Sequence, residues 1–189
     1  MSKIIQLKRT PIKEIILTIS YNERANLAAL EKFESLDIIK NKFSITHGRN
    51  SSNSVDHTWR NPEANKLLRI KVGSLALHKV NEYESFDLLF VEISDYWSAL
   101  LECVGKLTIN NISVRYLNFI DRAKGEAIQD LIKVYSVHPY GKKVRNNFSQ
   151  LRFNYDEGKK IEANIITATV IEKETEQEGA ILNIILHTT

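Results

Sequence analysis

From Ile12 to Tyr21 the chain alternates. Ile15, Leu17, Ile19 and Tyr21 fall on one parity, and Glu14, Ile16, Thr18 and Ser20 on the other. This period of two predicts a strand with one buried face. Asn22 is placed to cap a short helix from Glu23 to about Leu36, with Leu27, Leu30 and Phe33 facing in. Ile38 to Thr46 reads as the next strand. The stretch from His47 to His57 is the most polar in the chain, and its Gly, Asn and Ser residues predict a loop or a long hairpin connection. Leu67–Val72 and Leu75–Val80 then alternate about Gly73 and Ser74, which predicts a two-residue hairpin turn.

At Ser85 the period changes to 3.6. Phe86, Leu89, Phe90, Ile93, Trp97, Leu100, Leu101 and Val104 make an apolar stripe, opposed by Asp87, Glu92, Asp95 and Glu102. Ser85 is a candidate N-cap, and Gly105 a stop just past the C-terminus. The stripe predicts a long helix lying on a sheet.

A second series of the same kind begins at Ile112. The run to Asp121 is rich in β-branched and aromatic residues on both parities, as a central strand would be. A short helix over about Lys124–Val134 follows, with Ala127, Ile128, Leu131 and Ile132 facing in. Strands are predicted at Phe148–Tyr155, Ile161–Ile171 and Ala180–His187, with Gly158 and Gly179 near their turns. The expected fold class is therefore α+β, with a curved antiparallel sheet built from two β-α-β-β-β halves and the long helix packed on one face. The two pseudo-repeats, about 1–105 and 106–189, form a single domain. The second series stops where its own long helix would start. A shortened chain or a sheet completed by a partner is expected, and association in either case.

Composition changes this picture little. Of 189 residues, 43% are hydrophobic and 26% charged, which is ordinary for a globular chain. A net charge of +3 falls short of a dedicated nucleic-acid module. Cys103 stands alone, so neither an internal disulfide nor a cysteine-based zinc site forms within one chain. Together with the absence of a signal-like or membrane-spanning run, this predicts a cytoplasmic protein outside the membrane.

Two short motifs carry a family resemblance. Pro11-Ile12-Lys13-Glu14 and Val114-Arg115-Tyr116-Leu117-Asn118, with Tyr96-Trp97 between them, resemble a sporadically distributed family of uncharacterised bacterial and archaeal proteins. Its members open on a Pro-Ile-x-Glu strand and carry an internal Leu-Arg-Tyr-Ile-Asn-like strand. Leu117 replaces the commoner Ile, and the C-terminal extension of longer members is absent. The resemblance implies the fold above and brings no activity. The family's sporadic distribution is the ground for expecting a regulatory, defence-associated or antitoxin-like component. The order of elements also resembles TATA-binding-protein-like and helix-grip folds, a likeness of topology alone.

Candidate chemistry is sparse. Glu14 and Arg115 are expected to face each other across the central strands, as a structural pair or as the lining of a ligand groove. The histidines form no helical metal pattern. His47, Asp56 and His57 make only a weak loop set, so no metal or other cofactor is implied. No nucleophile elbow, phosphate loop or dinucleotide fingerprint occurs. Cys103 lies beside Glu102 and reads as a packing residue at the helix rim. Lys142, Lys143, Arg145, Arg152, Lys159 and Lys160, interleaved with Phe148, Phe153 and Tyr155, could hold nucleic acid or a nucleotide by phosphate contact and stacking, extended by Arg49 and Arg60. Tyr96 sits at the edge of the helix stripe and is the candidate partner contact. The leading expectation is a non-enzymatic interaction module with a protein partner or a second copy. Nucleic-acid or nucleotide binding is the alternative.

Overall fold

The computed structural model describes residues 12–22, 27–51, 54–81, 83–121, 148–156, 160–171 and 178–188. Strand β1 (Ile12–Tyr21) is followed by helices α1 (Leu27–Ser35) and α2 (Asp37–Lys40). Four strands follow: β2 (Ile45–Ser51), β3 (Ser54–Asn61), β4 (Lys66–Lys71) and β5 (Ser74–Val80). Helix α3 (Phe86–Val104) leads to β6 (Ile109–Asp121), and β7 (Phe148–Asp156), β8 (Lys160–Ile171) and β9 (Glu178–Thr188) complete the order. The protein is of the α+β type, with a single antiparallel sheet ordered β2-β3-β4-β5-β1-β6-β9-β8-β7.

The centre of the sheet is the antiparallel pair β1–β6, in register from Ile15 opposite Tyr116 to Ile19 opposite Ile112. Outward from β1 runs the meander β5-β4-β3-β2, and outward from β6 runs β9-β8-β7. The first meander thus has four strands where the sequence predicts three. The polar stretch 47–57 is the difference. It supplies most of β2 and the start of β3, paired from Ile45 opposite Arg60 to Ser51 opposite Ser54. The expected strand Ile38–Thr46 gives way to α2, which buries Ile39, and β2 starts only at Ile45. Asp37 stands in the first turn of α2, where its charge suits the helix dipole.

The β4–β5 turn falls one residue earlier than predicted, on Val72 and Gly73, with Lys71 opposite Ser74. Gly73 has φ +73°, and a Cβ there would lie 2.9 Å from the Tyr21 carbonyl oxygen. Glycine is the residue that accepts both conditions.

The helices cover one face of the first meander. Ile15, Leu17, Ile19 and Tyr21 of β1 pack with Trp59, Leu68, Ile70, Leu75 and Leu77 from β3–β5. Leu30 and Phe33 of α1, Ile39 of α2, and Leu89, Ile93, Tyr96 and Leu100 of α3 close over them. Helix α3 is bounded as its sequence predicts. Ser85 Oγ accepts from the Leu88 amide at 3.2 Å, and the Gly105 amide donates to the Leu101 carbonyl at 2.8 Å. Val114 and Tyr116 carry the core as far as β6. No described helix is long and apolar enough to cross a membrane. The helix expected at 124–134 lies outside the described residues.

Tyr96 requires a correction. It is 0% exposed and therefore offers no partner contact. The buried arc of α3 is centred on Ile93, Tyr96 and Leu100, so Phe86 and Phe90 fall at its edge. The Tyr96 hydroxyl donates to Glu92 Oε1 at 2.9 Å, one turn back, and its ring meets Phe43 at 5.8 Å. A buried tyrosine needs a partner for its polar tip, and Glu92 provides one. Trp97, one residue on, is partly buried against Tyr21.

Candidate binding face of the sheet

The alternation that buries Ile15, Leu17 and Ile19 turns Glu14, Ile16 and Thr18 to the face opposite the described helices. Cross-strand pairing brings His78 beside Ile16 and Ala76 beside Thr18 from β5, and Arg69 beside Ala76 from β4. On the other side Arg115 of β6 stands opposite Ile16, and Leu117 opposite Glu14.

Glu14 and Arg115 thus share this face, but their hydrogen bonds go elsewhere. Glu14 Oε1 is 2.7 Å from His78 Nδ1. Arg115 Nε donates to Asn183 Oδ1 of β9 at 2.8 Å. The register explains the separation, since opposite residues in the two strands are Glu14 with Leu117 and Arg115 with Ile16. The hydrogen bond with His78 is the main cause that holds the Glu14 carboxyl below its ordinary value. Partial burial opposes it, and the electrostatic attraction of His78 and then Arg115 adds to it. Further along the face, His187 Nε2 lies 3.3 Å from Glu162 Oε2.

A groove of about 210 Å³ opens on this face between β1, β5 and β4, lined by Ile16, Thr18, Arg69, Lys71, Ser74, Ala76 and His78. Its floor is small because Thr18, Ser74 and Ala76 stand where larger residues would fill it. Arg69 is held by Asp56 of β3 through a two-pronged pair, Nε to Oδ1 at 2.7 Å and Nη2 to Oδ2.

Of the cations singled out in the sequence, Arg60 is exposed on β3, opposite Leu67 on this same face. Arg49 stands opposite Asp56 in the β2–β3 register, Arg152 opposite Asn164, and Tyr155 opposite Ile161. Lys142, Lys143, Arg145 and Lys159 lie outside the described residues. Asp56 and His57 cannot converge on one ion. Adjacent strand residues point to opposite faces, so Asp56 turns to Arg69 while His57 is buried beside Trp59. Among the described residues no group of three or more His, Cys, Asp or Glu is placed to hold a metal. Cys103 packs partly against the core, and burial raises its thiol pKa, with Lys32 opposing and Glu102 adding.

Arg69, Lys71 and His78 were not singled out from the sequence, yet the signal was present. Arg69 and Lys71 alternate with Leu68 and Ile70, and Ser74, Ala76 and His78 alternate with Leu75 and Leu77. Reading parity would have placed the polar set on one face.

A scan against protein-family models finds no match to this chain, and a search of curated proteins finds none either.

The geometry makes a specific energetic prediction. A double-mutant cycle on Glu14→Gln and His78→Ala should return a coupling of about 0.5–3 kcal/mol. The cycle of Glu14→Gln with Arg115→Ala should fall below it, because those two groups act only through space. Equal couplings would show that Arg115 touches Glu14 directly. The sign with pH follows from the lowered carboxyl. Its contribution is complete above the ordinary carboxylate pKa and is lost as pH falls through the lower folded value. Urea midpoints of the natural chain and Glu14→Gln should therefore converge on acidification.

Proposed function

We propose that this chain is a non-enzymatic interaction module that works within a larger assembly, with the outer side of α3 as its contact surface. The observation that supports this reading is a cluster of large apolar side chains turned to solvent over the first turns of α3. Phe86, Leu88, Phe90 and Val91 are 37%, 57%, 43% and 59% exposed. Phe86 and Phe90 stack with ring centres 6.0 Å apart, so this pair is contiguous along one turn, with Val91 and Leu88 exposed further around the helix. Scattered apolar residues on a surface are ordinary, whereas a contiguous group marks a contact site. Glu84, Asp87 and Asp95 are exposed around it. A two-fold pairing of this face would set these carboxylates against each other, so the chemistry favours a different protein that brings apolar side chains ringed by Lys and Arg.

The arrangement of strands about β1 and β6 fits a single domain of two halves, roughly 1–105 and 106–189, with the topology of TATA-binding-protein-like or helix-grip folds. A regulatory role in defence or toxin–antitoxin systems follows from the family resemblance alone.

Site-specific photo-crosslinking in the native host tests the contact surface. A photoreactive residue at Leu88 should give a discrete adduct with another protein, lost on Val91→Glu, while one at exposed Glu63 should give none. Equal adducts from both positions, or none from Leu88, would remove the reading. An adduct of two copies of this chain would replace the foreign partner by a self-association.

A further inference from the structure

We infer that the groove between β1, β5 and β4 is a binding site for a phosphoryl group carried by a larger ligand. The site is separate from the α3 patch, because it opens on the face of the sheet opposite the helices.

Size comes first. At about 210 Å³ the groove is smaller than pockets that enclose a whole drug-sized ligand, which run to roughly 300–1,000 Å³. It takes a group and leaves the rest of the molecule outside.

The donors then choose the group. Arg69 and Lys71 bring positive charge, Thr18 and Ser74 bring hydroxyls, and Ile16 and Ala76 form an apolar wall and floor. Among the described residues no carboxylate lines the groove; Asp56 and Glu14 bond the lining side chains Arg69 and His78 from outside it. A planar carboxylate ligand is best held by a guanidinium fork, and the Arg69 fork is occupied by Asp56. What remains is a set of single-point donors: the Lys71 ammonium, the outer N–H groups of Arg69 and the two hydroxyls. Such a set suits a tetrahedral group whose oxygens point in several directions. The Asp56 pair also fixes the guanidinium in place, so less side-chain freedom is lost on binding.

Amide shifts of the full chain, labelled with ¹⁵N and titrated with inorganic phosphate, test this. Saturable shifts are expected at Lys71, Ser74 and Ala76, with acetate binding more weakly. Lys71→Glu should weaken phosphate about tenfold, the loss of one charge-assisted contact. Ala76→Leu, which fills the floor and leaves the charge unchanged, should weaken it similarly. If that variant melts early, Thr18→Val removes one donor at constant shape and should still weaken binding. A mononucleotide and a short single-stranded oligonucleotide, read at the same amides, then distinguish a free nucleotide from a polynucleotide as the carrier. Absence of saturable shifts at these amides with all three probes would overturn the site. So would loss of binding in Lys71→Glu with none in Ala76→Leu or Thr18→Val, which would mean diffuse surface charge.

Discussion

Replacing Tyr96 by alanine should lower the unfolding free energy by about 3–5 kcal/mol, the range for truncating a buried aromatic side chain. The ring is fully enclosed, touching Phe43 in the connection from α2 to β2, with the Lys42 ammonium 5.4 Å from its centre. Little in this cluster can collapse into the space, because Leu30, Phe33, Ile39 and Ile93 are each held in the same core. Tyr96→Phe separates the ring from its hydroxyl and should cost about 0.5–1.5 kcal/mol. Glu92 keeps Lys66 as a partner in that variant, with both carboxylate oxygens 2.8 Å from the ammonium. Chemical denaturation of the two variants checks the pair of values. If Tyr96→Ala left stability unchanged, the residue would lie on the surface and the helix would be rotated from the position described.

That same residue marks how far the sequence could be read. The long helix and β1 were legible because each carries a sustained period of 3.6 or 2, and β6 and the last meander because runs rich in β-branched and aromatic residues fall between turn signals. The caps at Ser85 and Gly105 were legible too, since each residue type solves a backbone problem at a helix end. The phase of α3 was harder. Hydrophobicity ranks Phe86 and Phe90 above Tyr96, but the rank does not know that Glu92, one turn earlier, can satisfy a buried hydroxyl. Strands β2 and β3 were hidden for a related reason. β2 is an edge strand and β3 its neighbour, and the described inward positions of β3, His57 and Trp59, do not form an apolar repeat. The binding face was obscured by looking for dense charge. The run from Gly141 to Lys160 has many cations close in sequence, whereas Arg69, Lys71 and His78 gather only when the alternation of β4 and β5 is folded about Gly73.

Alkali should unfold this protein in a narrow range above pH 10, and the cause is a group of phenols buried in or packed against the core. Tyr21 is 3% exposed, and its burial pushes the hydroxyl pKa from about 10 up to about 12. Burial also raises Tyr96 strongly, with the charge of Glu92 and its hydrogen bond adding to the effect. Tyr116 is raised in the same way, by burial and then by its hydrogen bond with Tyr83. A tyrosine whose folded pKa lies above the unfolded value keeps a proton that the unfolded chain releases. Its contribution is complete below pH 10 and falls as pH rises toward the folded value. For Tyr21 the rise corresponds to about 3 kcal/mol, most of it lost by pH 12. The other two tyrosines act with the same sign, and domains of this size are stable by only about 5–15 kcal/mol. Urea midpoints should therefore be flat from pH 8 to near 10 and drop steeply beyond. Tyr21→Phe should start from a similar midpoint and show a shallower drop, because one of the three coupled losses is gone. A midpoint unchanged up to pH 12 would mean that these phenols reach water, and that the core between β1 and α3 is open where it is described as closed.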